Sequence, residues 1–278
     1  MPPAPGPSLP STSGARWSVA MVGTRDGAVL VEHGPDLLLP SASVAKVFLL
    51  VEVAARLVDG RLDPALLLDR RAVAPVADSG LWRHLATDAL PVLDLAVLVG
   101  SVSDNLATNV LLDAVGLEAV RARAATLAPG GSTLHDRVRD ERGAGDPALL
   151  GEACARDLVD LFAGLGAGRV VGPQVSALVL HWVAANTDHS QVSRGLLLDP
   201  LAHDVPDHGV SVWSKTGTDA GVRAEAGLAR GPRGSVAFAA LCAWEPGVDD
   251  AARGEVLGAM AGLGTLLRGA VGTRPARR

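Results

Sequence analysis

Of the 25 Lys and Arg residues in this chain of 278, only two are lysines, Lys46 and Lys215. Each stands in a short run with chemical potential: Ser43-Val44-Ala45-Lys46 and Lys215-Thr216-Gly217-Thr218. A chain that uses arginine wherever a plain positive charge suffices keeps lysine where arginine cannot serve. Arginine stays protonated at any working pH, whereas a buried lysine can lose its proton and act as a base.

Placed at the start of a helix, Ser43 and Lys46 are three residues apart and project from one face. A serine hydroxyl is a poor nucleophile until a neighbouring base takes its proton, and a desolvated lysine one turn away can do so. The helix N-terminus adds a positive end and a backbone N–H near Ser43, suited to an oxyanion. Alone, the same four residues also read as an N-capping serine with an exposed lysine. A third run, Ser103-Asp104-Asn105, consists of good helix caps. Its functional reading makes Ser103 a hydroxyl relay to the leaving group and Asn105 a substrate hydrogen-bonding group. In the last run Lys215 supplies the field, with Thr216 beside it. Gly217 lets a substrate approach the strand closely, and the Thr218 N–H completes an oxyanion hole with that of Ser43.

The elements that must position these residues follow from pattern. Trp17 to Val22 and Ala28 to Val31 are β-rich, with Thr24-Arg25-Asp26-Gly27 as the hairpin turn between them. Val44 to Val58 is apolar and helical, stopped by Gly60. Leu93 to Val115 is helix-like with a break near Ser101-Val102-Ser103. Residues 127–150 read as a long loop, followed by helices at Leu158 to Leu165 and Val175 to Ala185. Val210 to Ser214, Val222 to Leu228 and Ser235 to Trp244 form an antiparallel meander, and a last helix covers Ala251 to Leu267. Two N-terminal and three C-terminal strands closing on one five-stranded antiparallel sheet, with a helical insertion over about 61–205, make an α+β fold. The expected organisation is a Pro/Ser-rich lead (1–15), one catalytic domain (16–270) and a basic tail (271–278).

Composition narrows the function. Hydrophobic residues at 48% and charged residues at 20% describe an ordinary globular core. A net charge of −5 leaves no nucleic-acid footprint. No segment reaches the roughly 20 apolar residues that span a bilayer, so no membrane association is expected. Residues 1–16 lack the basic and apolar regions of a secretory signal. With Met1 as the true start a cytoplasmic monomer is expected, whereas a truncated N-terminus leaves secretion open. Cys154 and Cys242 lie in apolar stretches without metal or redox spacing, and read as buried free thiols. His203, Asp204, Asp207 and His208 cluster in a loop but match no standard metal site. Neither a metal nor a cofactor is expected.

The three runs in this order resemble the serine β-lactamase and penicillin-binding-protein superfamily, and class A β-lactamases most closely. The likeness runs from about Trp17 to Leu267. It implies a β-lactamase/transpeptidase-like fold and a covalent acyl-enzyme, with Ser43 as nucleophile, Lys46 as acylation base and Ser103 as shuttle. It also implies a small-molecule β-lactam, amide or ester substrate. In class A enzymes a loop glutamate activates the water that breaks the acyl-enzyme. If Asp136-Arg137 matches the family's Asp-Arg pair, Arg139 falls at the glutamate's place and Glu141 comes two residues later. Glu141 is then the candidate base, with a plain surface glutamate as the competing reading. The chain has no tyrosine, which excludes the tyrosine base of related esterases. Arg223 is a candidate for binding a substrate carboxylate, and Trp82 and Arg83 for lining the cleft. The rival functions are an intracellular esterase, amidase or acyl-transfer enzyme, and a non-catalytic binding protein on the same fold.

Overall fold

The computed structural model describes residue 9 and residues 14–202, 205–245 and 250–272. Most of the Pro/Ser-rich lead, His203, Asp204 and the arginines of the basic tail therefore lie outside the described residues. In chain order the strands are β1 (Arg16–Gly23), β2 (Val29–His33), β3 (Leu39–Pro40), β4 (Leu67–Asp69), β5 (Ala89–Pro91), β6 (Thr133–Leu134), β7 (Gly151–Ala153), β8 (Ser211–Asp219), β9 (Val222–Gly231) and β10 (Gly234–Ala243). The helices are α1 (Lys46–Val58), α2 (Val92–Val102), α3 (Asn105–Val115), α4 (Leu117–Leu127), α5 (Ala155–Gly166), α6 (Pro173–Ala184) and α7 (Asp250–Val271).

The main sheet has five strands in the order β2-β1-β10-β9-β8. Its first strand pairs antiparallel with its last, from Arg16 opposite Ala243 to Gly23 opposite Val236, so the chain's two ends close one sheet around the helices between them. Alternate residues of β1 serve two cores, as a period of two requires. Val19 and Met21 join Phe238, Met260 and Leu263 beneath α7, while Ala20 joins Leu158, Phe162 and Leu241 on the α5 side. The fold is thus helix, sheet and helices in layers, as an α+β domain of this pattern should be. No helix among the described residues is long and apolar enough to cross a membrane.

Helix α1 is the hub of the second core. Lys46 through Ala55 are all buried, and α1 packs against α2, α3, α4 and α6. Burying side chains such as Phe48 or Leu50 contributes about 1.5–3 kcal/mol each, enough to hold the first residue of α1, Lys46, in a fixed interior position. Helix α4 went unread in the sequence. Only Val120 and Ala124 of its residues are buried, so it carries almost no apolar periodicity to read.

Candidate functional site

Three segments converge on one cleft. The first is a 3₁₀ turn, Ala42–Ala45, that leads into α1. Ser43 therefore sits in a tight turn ahead of the helix rather than within it. The turn's first internal hydrogen bond runs from the Val44 N–H to the Ser41 carbonyl, which leaves the Ser43 N–H without an internal partner. Ala42, just before it, has φ of 44°, a left-handed conformation that costs a non-glycine residue about 1–3 kcal/mol. Ser43 is half-buried, and its hydroxyl has no hydrogen-bond partner among the described residues.

The second segment is the break between α2 and α3. Ser103 caps α2 in the left-handed region, with φ 57° and ψ 34°. Asp104 caps α3: its Oδ1 accepts the Ala107 N–H at 2.9 Å, and its Oδ2 accepts the Leu81 and Trp82 N–H groups at 2.7 and 2.8 Å. Gly80 is needed here, because at φ 126° a Cβ would fall 2.5 Å from that carboxylate. The clamp draws Ala77–Gly80 against the cleft, and Asn105 reinforces it. The Asn105 N–H donates to the Ser79 carbonyl at 3.0 Å and its Nδ2 to the Ala77 carbonyl at 3.0 Å.

Lys46 joins the first two segments. Its Nζ, wholly buried, donates to the Ser103 carbonyl and to Asn105 Oδ1, each at 2.7 Å, and lies 3.3 Å from Ser103 Oγ. Burial pushes its pKa well below the ordinary lysine range, and the neighbouring Lys215 adds to this against the opposing pull of Asp104 and Asp78. A neutral amine has two N–H donors and a lone pair. Two donations to fixed acceptors would leave the lone pair beside the Ser103 hydroxyl. No hydrogen bond joins Lys46 to Ser43. Asn105, expected to bind substrate, holds Lys46 and Ala77 with its amide and also lines the larger of the cleft's two hollows.

The third segment is β8. The run Lys215-Thr216-Gly217-Thr218 lies within this strand, which continues five residues further than the pattern indicated, to Asp219. Thr216 lies opposite Glu225 and Thr218 opposite Arg223 on β9. A Cβ on Gly217 would lie 2.3 Å from the Ser41 carbonyl and 3.1 Å from the Ser43 N–H. The glycine therefore serves the close approach of the strand to the Ser43 turn, and not the approach of a substrate alone. Gln191 Nε2 donates to the Gly217 carbonyl at 3.2 Å and contacts Thr218 Oγ1 at 3.4 Å. Lys215 is buried with its Nζ donating to the Thr216 carbonyl at 2.9 Å. Desolvation lowers its pKa to about 7, opposed by Asp188 and Glu225.

Between these segments lie two hollows that share Ser43, Ser79 and Thr218. One, of about 270 Å³, also reaches Ser103, Asp188 and Thr216. The other, of about 430 Å³, reaches Asp78, Asn105, Arg139, Asp140 and Arg142. Glu141 is exposed and lines a neighbouring hollow with Pro75, Asn109 and Arg137, which shares Arg139 and Asp140 with the larger one but does not reach Ser43. The loop's acid on the Ser43 side is Asp140, whose carboxylate accepts the Ala77 N–H at 2.9 Å. Arg139 does face the cleft, with its Nε 2.7 Å from Asp136 and an Nη 3.1 Å from Asp146. Arg223 does not line either hollow. It stacks on Trp244, 5.7 Å from the ring centroid, and donates to the Asp219 and Val222 carbonyls. Trp82 is a core residue donating to the Thr87 carbonyl, and Arg83 turns its Nε to His84. Asp207 accepts the Asp199 N–H, and among the described residues no group of three His, Cys, Asp or Glu could hold a metal ion. Ser79, Asp188 and Glu225 belong to no recognisable run, and only the fold brings them here.

A model of the Beta-lactamase enzyme family matches residues 8–263. The chain belongs to that family. Its solved β-lactamase-like relatives share the fold at low identity. A β-lactamase from Sphaerobacter thermophilus superposes with a TM-score of 0.77 at 23% identity, over 94% of this chain and 93% of that one. A variant of PBP-A, in its acyl-enzyme complex with penicillin G, gives 0.75 at 20% identity over 93% and 91%. A variant of the last common ancestor of Gram-negative bacteria class A β-lactamase gives 0.74 at 22% identity over 93% of each chain. No curated protein matches. The β-lactamase family acts on small-molecule substrates, a scale that the two hollows suit.

Proposed function

We propose that this protein is a serine hydrolase that works through a covalent acyl-enzyme on β-lactam, amide or ester carbonyls. The observation that carries the reading is the buried Lys46 amine, bracketed by Ser103 and Asn105 next to an unpartnered Ser43 hydroxyl. Ser43 Oγ attacks the carbonyl carbon and its proton passes to Lys46. The Ser43 and Thr218 N–H groups receive the oxyanion. Collapse breaks the bond to the leaving nitrogen or oxygen, which takes the proton by way of Ser103, and Lys215 holds positive potential over the site. Water then cleaves the ester to Ser43 and regenerates the enzyme.

A second reading keeps this machinery with slow release of β-lactams: an esterase, amidase or acyl-transfer enzyme. It is favoured by the Arg139 guanidinium at the cleft, where a water-activating carboxylate is needed, and by the outward Glu141. Intact-protein mass spectrometry with penicillin, a cephalosporin and an activated ester tests both readings. One acyl group per chain is expected, and Ser43→Ala should abolish it. Stoichiometric labelling that survives Ser43→Ala would remove the central claim.

A further inference from the structure

The Thr218 N–H owes its aim to a residue outside the three runs. Strand β8 is the outermost of the main sheet, and a two-residue turn joins its Asp219 to Val222 of β9. Backbone pairs alternate along an antiparallel ladder from such a turn. Thr218, opposite Arg223, therefore points its N–H away from β9, toward the cleft whose two hollows it lines. The Gly217 C=O and the Thr218 N–H are two ends of one planar peptide group, so whatever holds the carbonyl aims the N–H. That carbonyl accepts Gln191 Nε2 at 3.2 Å, and the same nitrogen donates to Thr218 Oγ1 at 3.4 Å.

Gln191 is wholly buried, and its amide nitrogen is spent on this one corner of the strand. Its Oε1 has no hydrogen-bond partner among the described residues, and a desolvated acceptor of that kind works against folding. Turning the amide over would not help, because Oε1 would then face the Gly217 carbonyl, acceptor against acceptor. The segment that carries Gln191 is anchored on every side. The Ser193 N–H donates to Glu225 on β9 at 3.0 Å, and Asn186 Nδ2 donates to Ser214 Oγ on β8 at 3.1 Å. Gly195 and Gly264 bring the segment so close to α7 that a Cβ on Gly264 would have no room beside the Val192 carbonyl. Gln191 thus meets the strand from a braced support.

We infer that Gln191 is a positioning residue for acylation: it fixes and polarises the peptide between Gly217 and Thr218, so that the oxyanion meets a Thr218 N–H already aimed. A hydrogen bond donated to a peptide carbonyl strengthens the N–H of the same peptide as a donor. A preset donor also costs no reorganisation when charge develops. This rests on Ser43 being the acylated residue and deepens that reading. Gln191 acts through Thr218 and touches no reacting atom.

The test compares Ser43 acylation by p-nitrophenyl phenylacetate and by its thiono analogue, in which sulfur replaces the carbonyl oxygen, using intact-protein mass spectrometry over time. Sulfur accepts hydrogen bonds weakly, so the ratio of oxo to thiono rates reports the hold on the oxyanion. Gln191→Met keeps the length of the side chain and removes its donors. It should be acylated by the oxo ester roughly 10-fold more slowly, short of the 100- to 1,000-fold cost of losing a direct oxyanion donor. Its oxo-to-thiono ratio should fall by a similar factor, whereas a packing defect alone would slow both esters alike. Gln191→Glu supplies a second arm. Its carboxyl can donate to the Gly217 carbonyl while protonated but only repels it once ionised, so its ratio should drop below that of the wild type as pH rises. Using ratios within one variant cancels any general loss of activity or folding. An unchanged ratio in Gln191→Met, or a Gln191→Glu ratio that matches the wild type at alkaline pH, overturns the inference while Ser43 acylation stands. If neither these esters nor penicillin labels Ser43 in the wild type, the acyl-enzyme reading falls and takes this inference with it.

Discussion

The Ser43 side of the cleft and the loop at residues 135–150 use polar groups in opposite ways. Around Ser43, buried groups are aimed at one another across three segments: Lys46 at Ser103 and Asn105, Asn105 at Ala77, and Gly217 packed against the Ser43 turn. In the loop the charges satisfy themselves. Asp136 takes Arg139 and Arg142, while Arg139 also reaches Asp146. Burial alone would raise the Asp136 pKa, but hydrogen bonds from the two arginines outweigh it and hold the carboxyl below its usual range. One region is arranged as the proposed proton transfer needs, and the other is braced by ion pairs. The equipment for forming an acyl-enzyme is therefore better supported than the equipment for breaking it.

Lys46→Arg is the sharpest way to break that comparison. Arginine keeps the charge but cannot accept the Ser43 proton, and its guanidinium does not fit a wholly buried bracket built for one nitrogen. Acylation should fall by roughly 100- to 10,000-fold, the range for losing a positioned base. Near-normal acylation by this variant would mean that Lys46 acts through charge alone. Gly217→Ala comes next. Its Cβ would sit 2.3 Å from the Ser41 carbonyl, so the strand and the Ser43 turn must part. A shift of that kind costs acylation on the order of 100-fold, measurable by stopped-flow labelling of a variant checked for folding by circular dichroism.

Much of this architecture is legible in the sequence. The five strands followed from alternation, and the break between α2 and α3 from Ser101-Val102-Ser103, because local pattern dictates both. The position of Ser43 in a 3₁₀ turn was not legible, since the apolar run after it reads as helix from its first residue. Asp188 and Glu225 were missed for another reason. Asp188 reaches the cleft through the chain's return after α6, and Glu225 through strand register, and neither relation leaves a short-range signature. The place of Glu141 was not legible either, because nearness along a loop does not decide which residues reach the cleft: Asp140 lines the hollow that holds Ser43, and Glu141 lines only the neighbouring one.

That pair gives the next test. With Arg139 at the cleft and Glu141 turned away, a penicillin adduct on Ser43 should outlast the time of its formation and persist for minutes or longer. Glu141→Gln should leave that lifetime unchanged, whereas Asp140→Asn should lengthen it by roughly tenfold if Asp140 helps to orient water. Turnover of penicillins near 10 per second, an ordinary enzymatic rate, would contradict the weak half of the comparison. Trapping by Glu141→Gln would show that the loop turns over on binding substrate.

The smallest expected effect is thermodynamic and concerns the acid behind β8. Burial raises the Glu225 pKa from 4.5 to about 7, with the Ser193 hydrogen bonds opposing the shift. Between those two values the folded chain keeps a proton that the unfolded chain has released. Raising the pH through that window therefore lowers stability. Lys215 runs the other way. Its pKa is depressed from 10.5 to about 7, so above 7 the unfolded chain holds the extra proton and rising pH restores stability. Together the two groups should leave a shallow minimum near neutrality. Glu225→Gln removes the acidic limb, since the amide does not titrate. It also removes a charge that supports Lys215, so the alkaline limb should begin lower. The wild type minus variant difference in Tm should fall by a few degrees from pH 4.5 to 7, corresponding to about 1–3 kcal/mol. A flat difference across that range would mean that Glu225 is ionised in the folded protein at ordinary acidity. Lys215 would then be held positive by a permanent carboxylate behind β8.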